Sequence, residues 1–135
     1  MSIEREILTR FVTIVVVGLS ADPMRPSYRV SAYMQRQGYR IIPVNPYERE
    51  VLGEPCYPDL ASVPEPIAFV NVFRRAEHCP QLAQEAVAAG ARALWLQEGI
   101  VSPEARRIAE AAGLLYVEDR CVMVEHRRHG LGRVM

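Results

Sequence analysis

The sequence predicts an α/β domain, a Rossmann-like doubly wound parallel sheet of about five strands in a three-layer sandwich. Three observations carry this. Short apolar runs alternate with stretches of helical periodicity along the whole chain. The runs are apolar on consecutive positions, as strands covered on both faces must be. Glycine or proline marks most of the changes from one element to the next.

Residues 1–10 place Ile3, Ile7 and Leu8 at near-helical spacing and predict a short leading helix. Val12-Thr13-Ile14-Val15-Val16-Val17 is a β-branched run and predicts the first strand. A Ser/Pro-rich turn follows. Pro26 suits a first helical position, since its fixed φ fits and its missing N–H is not needed there. Val30, Tyr33 and Met34 repeat at helical spacing until Gly38. Tyr39 to Val44 is the second strand, stopped by Pro46. Residues 47–65 are rich in proline and glycine and predict a loop, with one short strand near Cys56. Ile67–Phe73 and Ala93–Leu96 read as strands around a helix from Pro80 to Ala89. Ser102-Pro103-Glu104 is a helix start, with a capping hydroxyl, proline at the first position and a carboxylate at the positive end of the dipole. Gly113 closes that helix, and Leu114–Val117 is the last strand.

At 135 residues the chain is read as one domain, 1–135. Sixteen basic residues balance sixteen acidic ones, which argues against non-specific nucleic-acid binding. All sixteen basic residues are arginine, so a phosphate clamp must use guanidinium, hydroxyl or backbone N–H groups. No apolar run is longer than Ile14–Val17, against about 20 residues for a membrane helix. The polar start lacks a signal-peptide pattern, and a cytoplasmic location is expected. Cys56, Cys79 and Cys121 are widely spaced and suggest buried thiols rather than a metal or dithiol site.

The informative segment is the first strand-to-helix turn, Gly18-Leu19-Ser20-Ala21-Asp22-Pro23-Met24-Arg25-Pro26-Ser27-Tyr28-Arg29. Of a G-x-G-x-x-G dinucleotide fingerprint only the first glycine is present. The second strand ends Val44-Asn45-Pro46, without the carboxylate that binds a ribose diol in nicotinamide enzymes. The turn nevertheless suits an anion. Ser20 and Ser27 supply hydroxyls, the helix N-terminus supplies free N–H groups, and Arg25 and Arg29 flank it. Arg49 and Arg74 follow later strands. Gly18 lets the backbone approach a ligand. A valine there is expected to fill ligand space and leave the fold intact.

These segments, taken with Val72-Phe73-Arg74, Leu96-Gln97-Glu98-Gly99 and Asp119-Arg120-Cys121, resemble the small stand-alone bacterial coenzyme A (CoA) binding proteins. Those proteins are similar to the N-terminal CoA-binding domain of the succinyl-CoA synthetase α subunit. The resemblance spans roughly residues 10–130 and implies bound CoA. Carried over by position, it implies phosphate contacts at Gly18, Leu19 and Ser20. It implies adenosine contacts at Asn45 and Pro46, and further CoA contacts at Gln97 and Glu98. The synthetase has a lysine shortly after the matching proline; Tyr47, Glu48 and Arg49 follow here. Around these, Arg25, Pro26, Ser27, Tyr28, Arg29, Arg49, Phe73 and Arg74 complete the expected cofactor-binding set.

No catalytic or metal residues are expected. The synthetase's phosphorylated histidine lies in a second domain that this chain does not carry. Ser20 and Ser27 lack an evident His–Asp partner. His126-Arg127-Arg128-His129 reads as a solvated basic tail, with a second phosphate patch as the rival reading. Glu98 is the best carboxylate for a general base. Cys121, following Asp119-Arg120, is a thiol that can exchange with the CoA thiol, against a default of inert burial. The expected function is binding of CoA or acyl-CoA without turnover, with an unidentified protein partner possible. The alternative is a nicotinamide-dinucleotide enzyme or redox sensor using the same groove.

Overall fold

The computed structural model describes residues 2–134; the first and last methionines lie outside them. The strands are β1 (Thr13–Val17), β2 (Arg40–Val44), β3 (Glu50–Val51), β4 (Glu54–Pro55), β5 (Phe69–Val72), β6 (Ala93–Leu96) and β7 (Leu115–Val117). The helices are α1 (Ile3–Arg10), α2 (Pro26–Arg36), α3 (Cys79–Ala88), α4 (Pro103–Ala111) and α5 (Val122–Arg128). Five strands form one parallel sheet in the order β2-β1-β5-β6-β7. In register, Val15 pairs with Ile42 on one side and Val70 on the other. The chain winds outward from β1 to β2, then crosses back to β5 and onward. The order therefore reverses between β1 and β5, where doubly wound sheets open a crevice at their carboxyl ends.

Alternation along the strands sorts the core into two layers. Val15, Val17, Val70, Val72, Leu94 and Leu96 face α3 and α4, meeting Leu82, Ala83, Ala86, Ala105 and Ala109. Ile14, Val16, Ile41, Phe69 and Trp95 face α1, α2 and α5, meeting Ile7, Leu8, Val30, Met34 and Val122. The helix starts form as their sequences dictate. Ser102 Oγ accepts the Ala105 N–H at 3.1 Å, with Pro103 opening the helix. Pro26 opens α2.

Two segments depart from expectation. The loop after β2 holds an antiparallel hairpin, β3–β4, rather than one short strand. Its turn residues Leu52 and Gly53 have φ of 55° and 76°, the pair of positive values that a two-residue type I′ turn demands. The basic C-terminal segment is not a solvated tail. It forms α5, which packs on α1 and α2, and His126 is only 2% exposed. Its ring stands edge-on between Tyr33 and Tyr39. Nε2 lies 2.7 Å from the Gly132 carbonyl, and Nδ1 lies 2.8 Å from the Tyr33 hydroxyl. A carbonyl only accepts, so Nε2 carries a proton and donates it to Gly132.

Candidate functional site

The crevice at the carboxyl ends of β1, β2, β5 and β6 is divided into three hollows that share walls. The first, about 530 Å³, runs from Gly18 past Asn45, Pro46 and Tyr47 to Asp59, Leu60, Arg74, His78 and Glu85. The second, about 300 Å³, is lined by Gly18, Ser20, Arg25, Pro26, Ser27 and Phe73. The third, about 410 Å³, is lined by Pro26, Val30, Phe73, Gln97, Glu98, Ile100 and Cys121. Gly18 belongs to the first two, Pro26 to the last two, and Phe73 to all three. The three hollows adjoin one another around Phe73.

The central hollow is where the β1–α2 turn meets the helix N-terminus. Pro26 offers no N–H, and the helical ladder begins with the N–H groups of Tyr28 and Arg29 on the Arg25 carbonyl, both at 3.1 Å. The dipole of an 11-residue helix thus points its positive end into the hollow. The serines shape this turn. Ser27 Oγ accepts the Ser20 N–H at 3.0 Å, and Ser20 Oγ accepts the Asp22 N–H at 3.0 Å. Asp22 Oδ1 then accepts the Met24 N–H at 2.9 Å. Each serine hydroxyl keeps its own hydrogen to donate.

Gly18 has φ +87°, and a Cβ placed on it would lie 2.7 Å from the Phe73 carbonyl oxygen and 3.2 Å from Arg74 Cδ. A side chain there strikes the backbone leaving β5 before it fills any ligand space. The expectation that valine spares the fold is therefore corrected: the glycine is required by a left-handed turn and a close strand exit.

The other expected residues divide. Asn45 is committed to holding two loops together. Its Nδ2 donates to the Leu19 carbonyl at 2.9 Å, and its Oδ1 accepts the Tyr47 N–H at 2.9 Å. Leu19 is fully buried, so only its backbone faces the turn. Tyr28, in the first turn of α2, packs on the core. Arg29 and Arg49 are exposed and line none of the three hollows. Arg74 is half-buried, and its side chain passes Gly18 into the first hollow. Gln97 is buried and donates Nε2–H to Asn71 Oδ1 at 2.7 Å, while Glu98 beside it is exposed.

Several lining residues lay outside the expected site: Tyr47, Asp59, His78, Glu85 and Ile100. Cys121, read from the sequence as a thiol beside Arg120, proves to line the third hollow. Asp59, His78 and Glu85 come from the long β2–β5 connection and from the turn and helix after β5, and only the fold brings them together. The first hollow consequently holds both signs of charge. Asp59 Oδ1 is engaged in capping the turn at Leu60–Ser62, accepting the Ser62 N–H at 2.9 Å. Among the described residues no group of three or more metal-ligating side chains converges, and no helix is long and apolar enough to cross a membrane.

Comparison with known proteins bears on this groove. Protein YneT of Bacillus subtilis, named as uncharacterised, is 43% identical over 122 residues, covering 90% of each chain. A hypothetical protein from Pyrococcus horikoshii, solved as a structure, matches with a TM-score of 0.90 at 38% identity, covering 95% of this chain and 92% of that one. The ADP-forming acetate–CoA ligase I of Archaeoglobus fulgidus is 23% identical over 119 residues, which are 81% of this chain and 17% of the ligase. The family model described as a CoA binding domain matches residues 12–127, the whole sheet and all three hollows, and the chain belongs to that family.

Proposed function

We propose that the chain binds CoA or acyl-CoA along the groove and performs no turnover of its own. The adenosine end occupies the first hollow, between Asn45-Pro46 and α3. The pyrophosphate sits in the second, at the α2 N-terminus beside Ser20, Arg25 and Ser27. The pantetheine arm runs past Phe73 into the third, beside Gln97 and Glu98. The observation that carries this reading is the groove's continuity. A polar, dipole-capped centre lies between two larger hollows, and CoA likewise has its doubly charged pyrophosphate between two larger arms. No histidine hydrogen-bonds to Ser20 or Ser27 among the described residues, so neither is activated as a nucleophile. The balanced charge supports a small-molecule ligand and no nucleic acid, in a cytoplasmic setting.

A second reading, a nicotinamide dinucleotide, draws support from Asp59 and Glu85 in the first hollow, since carboxylates suit a free ribose diol. Calorimetry with CoA, dephospho-CoA and NAD separates the two. Arg74 and His78 are the basic side chains in that hollow, so Arg74 is assigned the 3′-phosphate in preference to Arg49. A charged hydrogen bond is worth about 1.5–3 kcal/mol, roughly ten- to a hundredfold in affinity. Arg74→Ala should weaken CoA by that factor and abolish its preference over dephospho-CoA. Arg49→Ala should change little. Native protein that binds NAD as well as CoA would overturn the assignment.

A further inference from the structure

We propose that Tyr47 is the base-stacking residue of the groove, its ring covering the adenine of CoA above the apolar floor that Leu60 and Leu82 give the first hollow. This rests on the groove assignment above and deepens it at that hollow. The chain has six tyrosines, and five of them pack on the core. Tyr28, Tyr33 and Tyr39 do so on one face of the sheet, Tyr57 and Tyr116 on the other. Tyr47 alone does not. It is 90% exposed, more than any other large apolar side chain among the described residues, and it still lines the first hollow.

An exposed apolar side chain is ordinary by itself. What sets Tyr47 apart is the backbone that carries it, which is tied down on both sides. Its own N–H donates to Asn45 Oδ1 at 2.9 Å, and Asn45 Nδ2 donates to the Leu19 carbonyl at 2.9 Å. The Asn45 N–H donates to the Tyr57 carbonyl at 2.9 Å, and the Cys56 N–H donates to the Arg49 carbonyl at 2.9 Å. Pro46, immediately before Tyr47, has its φ locked by its own ring. The root of the side chain is therefore fixed, while its ring has no stacking partner among the described residues. A contact group rooted in this way loses little freedom when a ligand arrives.

The remainder of the hollow suits a flat apolar ring. Leu60 and Leu82 are 2% and 8% exposed and belong to the core, yet both border the hollow. Adenine is the one aromatic ring in CoA. Placed over the two leucines with the Tyr47 ring on its other face, it loses water from both sides and gains an aromatic stack.

The test is calorimetry with CoA on the full native chain, Tyr47→Phe and Tyr47→Ala, with a thermal melt of each. Tyr47→Ala should weaken CoA by about five- to a hundredfold, the range for losing one base–aromatic stack. Tyr47→Phe should bind within about twofold of native, because the stack needs the ring and not the hydroxyl. Both variants should melt as the native chain does, since the side chain supports nothing in the fold. In Tyr47→Trp, CoA should quench the added indole emission. The native chain, whose single tryptophan Trp95 is fully buried, should show no such change. A Tyr47→Ala chain that binds CoA as native does would overturn the proposal. So would a Tyr47→Phe chain as weak as Tyr47→Ala, or Tyr47→Trp emission that CoA leaves unchanged. A lowered melting temperature in Tyr47→Ala would make the side chain structural and overturn it too. If the native chain does not bind CoA at all, the groove assignment itself fails, and the stack fails with it.

Discussion

The two faces of the sheet are built on different principles. The α3/α4 face is packed with aliphatic side chains and with alanines that let two helices lie close over the strands. Its buried polar groups are few: the Ser102 hydroxyl caps α4, and the Tyr116 hydroxyl donates to Glu118. The α2/α5 face carries the large aromatics Phe69, Trp95 and Tyr39. It also takes Ser27, Ser31, Asn71, Gln97, Glu125 and His126, all less than a tenth exposed. Buried polar groups destabilise unless satisfied, so their gathering on one face marks where the chain does more than pack. That face lies beneath the second and third hollows.

Four measurements sharpen or break this contrast. The largest effect is expected at Trp95, which is fully buried and hydrogen-bonded to Arg120. Trp95→Ala should lower stability by about 3–5 kcal/mol in denaturant unfolding, and Trp95→Phe by far less. Next comes alkali, which attacks one tyrosine on each face. Burial raises Tyr39 to about 12, with Tyr33 adding to it, and burial followed by the Glu118 hydrogen bond raises Tyr116 as well. A raised folded value means that the stabilisation is complete below the unfolded value near 10 and is lost as pH rises through the folded one. Two units at Tyr39 correspond to about 3 kcal/mol at most. Melting temperature should fall steeply between pH 10 and 12, and either Tyr→Phe variant should flatten the fall. An unchanged slope in both would show that buried tyrosines do not govern it.

His126→Phe keeps an aromatic ring but strands the Gly132 carbonyl and the Tyr33 hydroxyl, for about 1–3 kcal/mol. A neutral result would mean that this polar site is replaceable packing. The smallest effect is expected at Ser31, whose hydroxyl is buried without a partner among the described residues. Ser31→Ala should change stability by less than about 1 kcal/mol, towards greater stability. A clear loss would reveal that the hydroxyl has a partner after all.

The sheet was legible in the sequence because its signals are local. The β-branched run before Gly18, Pro26 at a helix start and the Ser102-Pro103 cap each act within a few residues. The helix at Val122–Arg128 was missed because its charged residues read as solvated. His126 lies edge-on between Tyr33 and Tyr39, about 90 residues away in sequence. The hairpin was half seen; its turn is Leu52-Gly53 rather than the usual Asn-Gly. At the groove, the first turn was readable and its far walls were not. Nothing near Asp59 or His78 in sequence announces that they share a hollow with Gly18. Asn45 lines the first hollow as expected, and its amide also ties together the exits of β1 and β2, a role visible only once both loops are placed.

Phe73 borders every compartment of the groove, and this has a consequence for how binding strength is distributed. A ligand reaching across it is in effect bivalent: once one arm is seated, the other arrives at an effective concentration set by a short tether rather than by bulk solution. Adenosine 3′,5′-bisphosphate and 4′-phosphopantetheine, supplied as two separate molecules, should then bind far more weakly than CoA even at matched concentration. On the proposed CoA assignment, cutting the covalent link that passes over the Phe73 ring should release both halves.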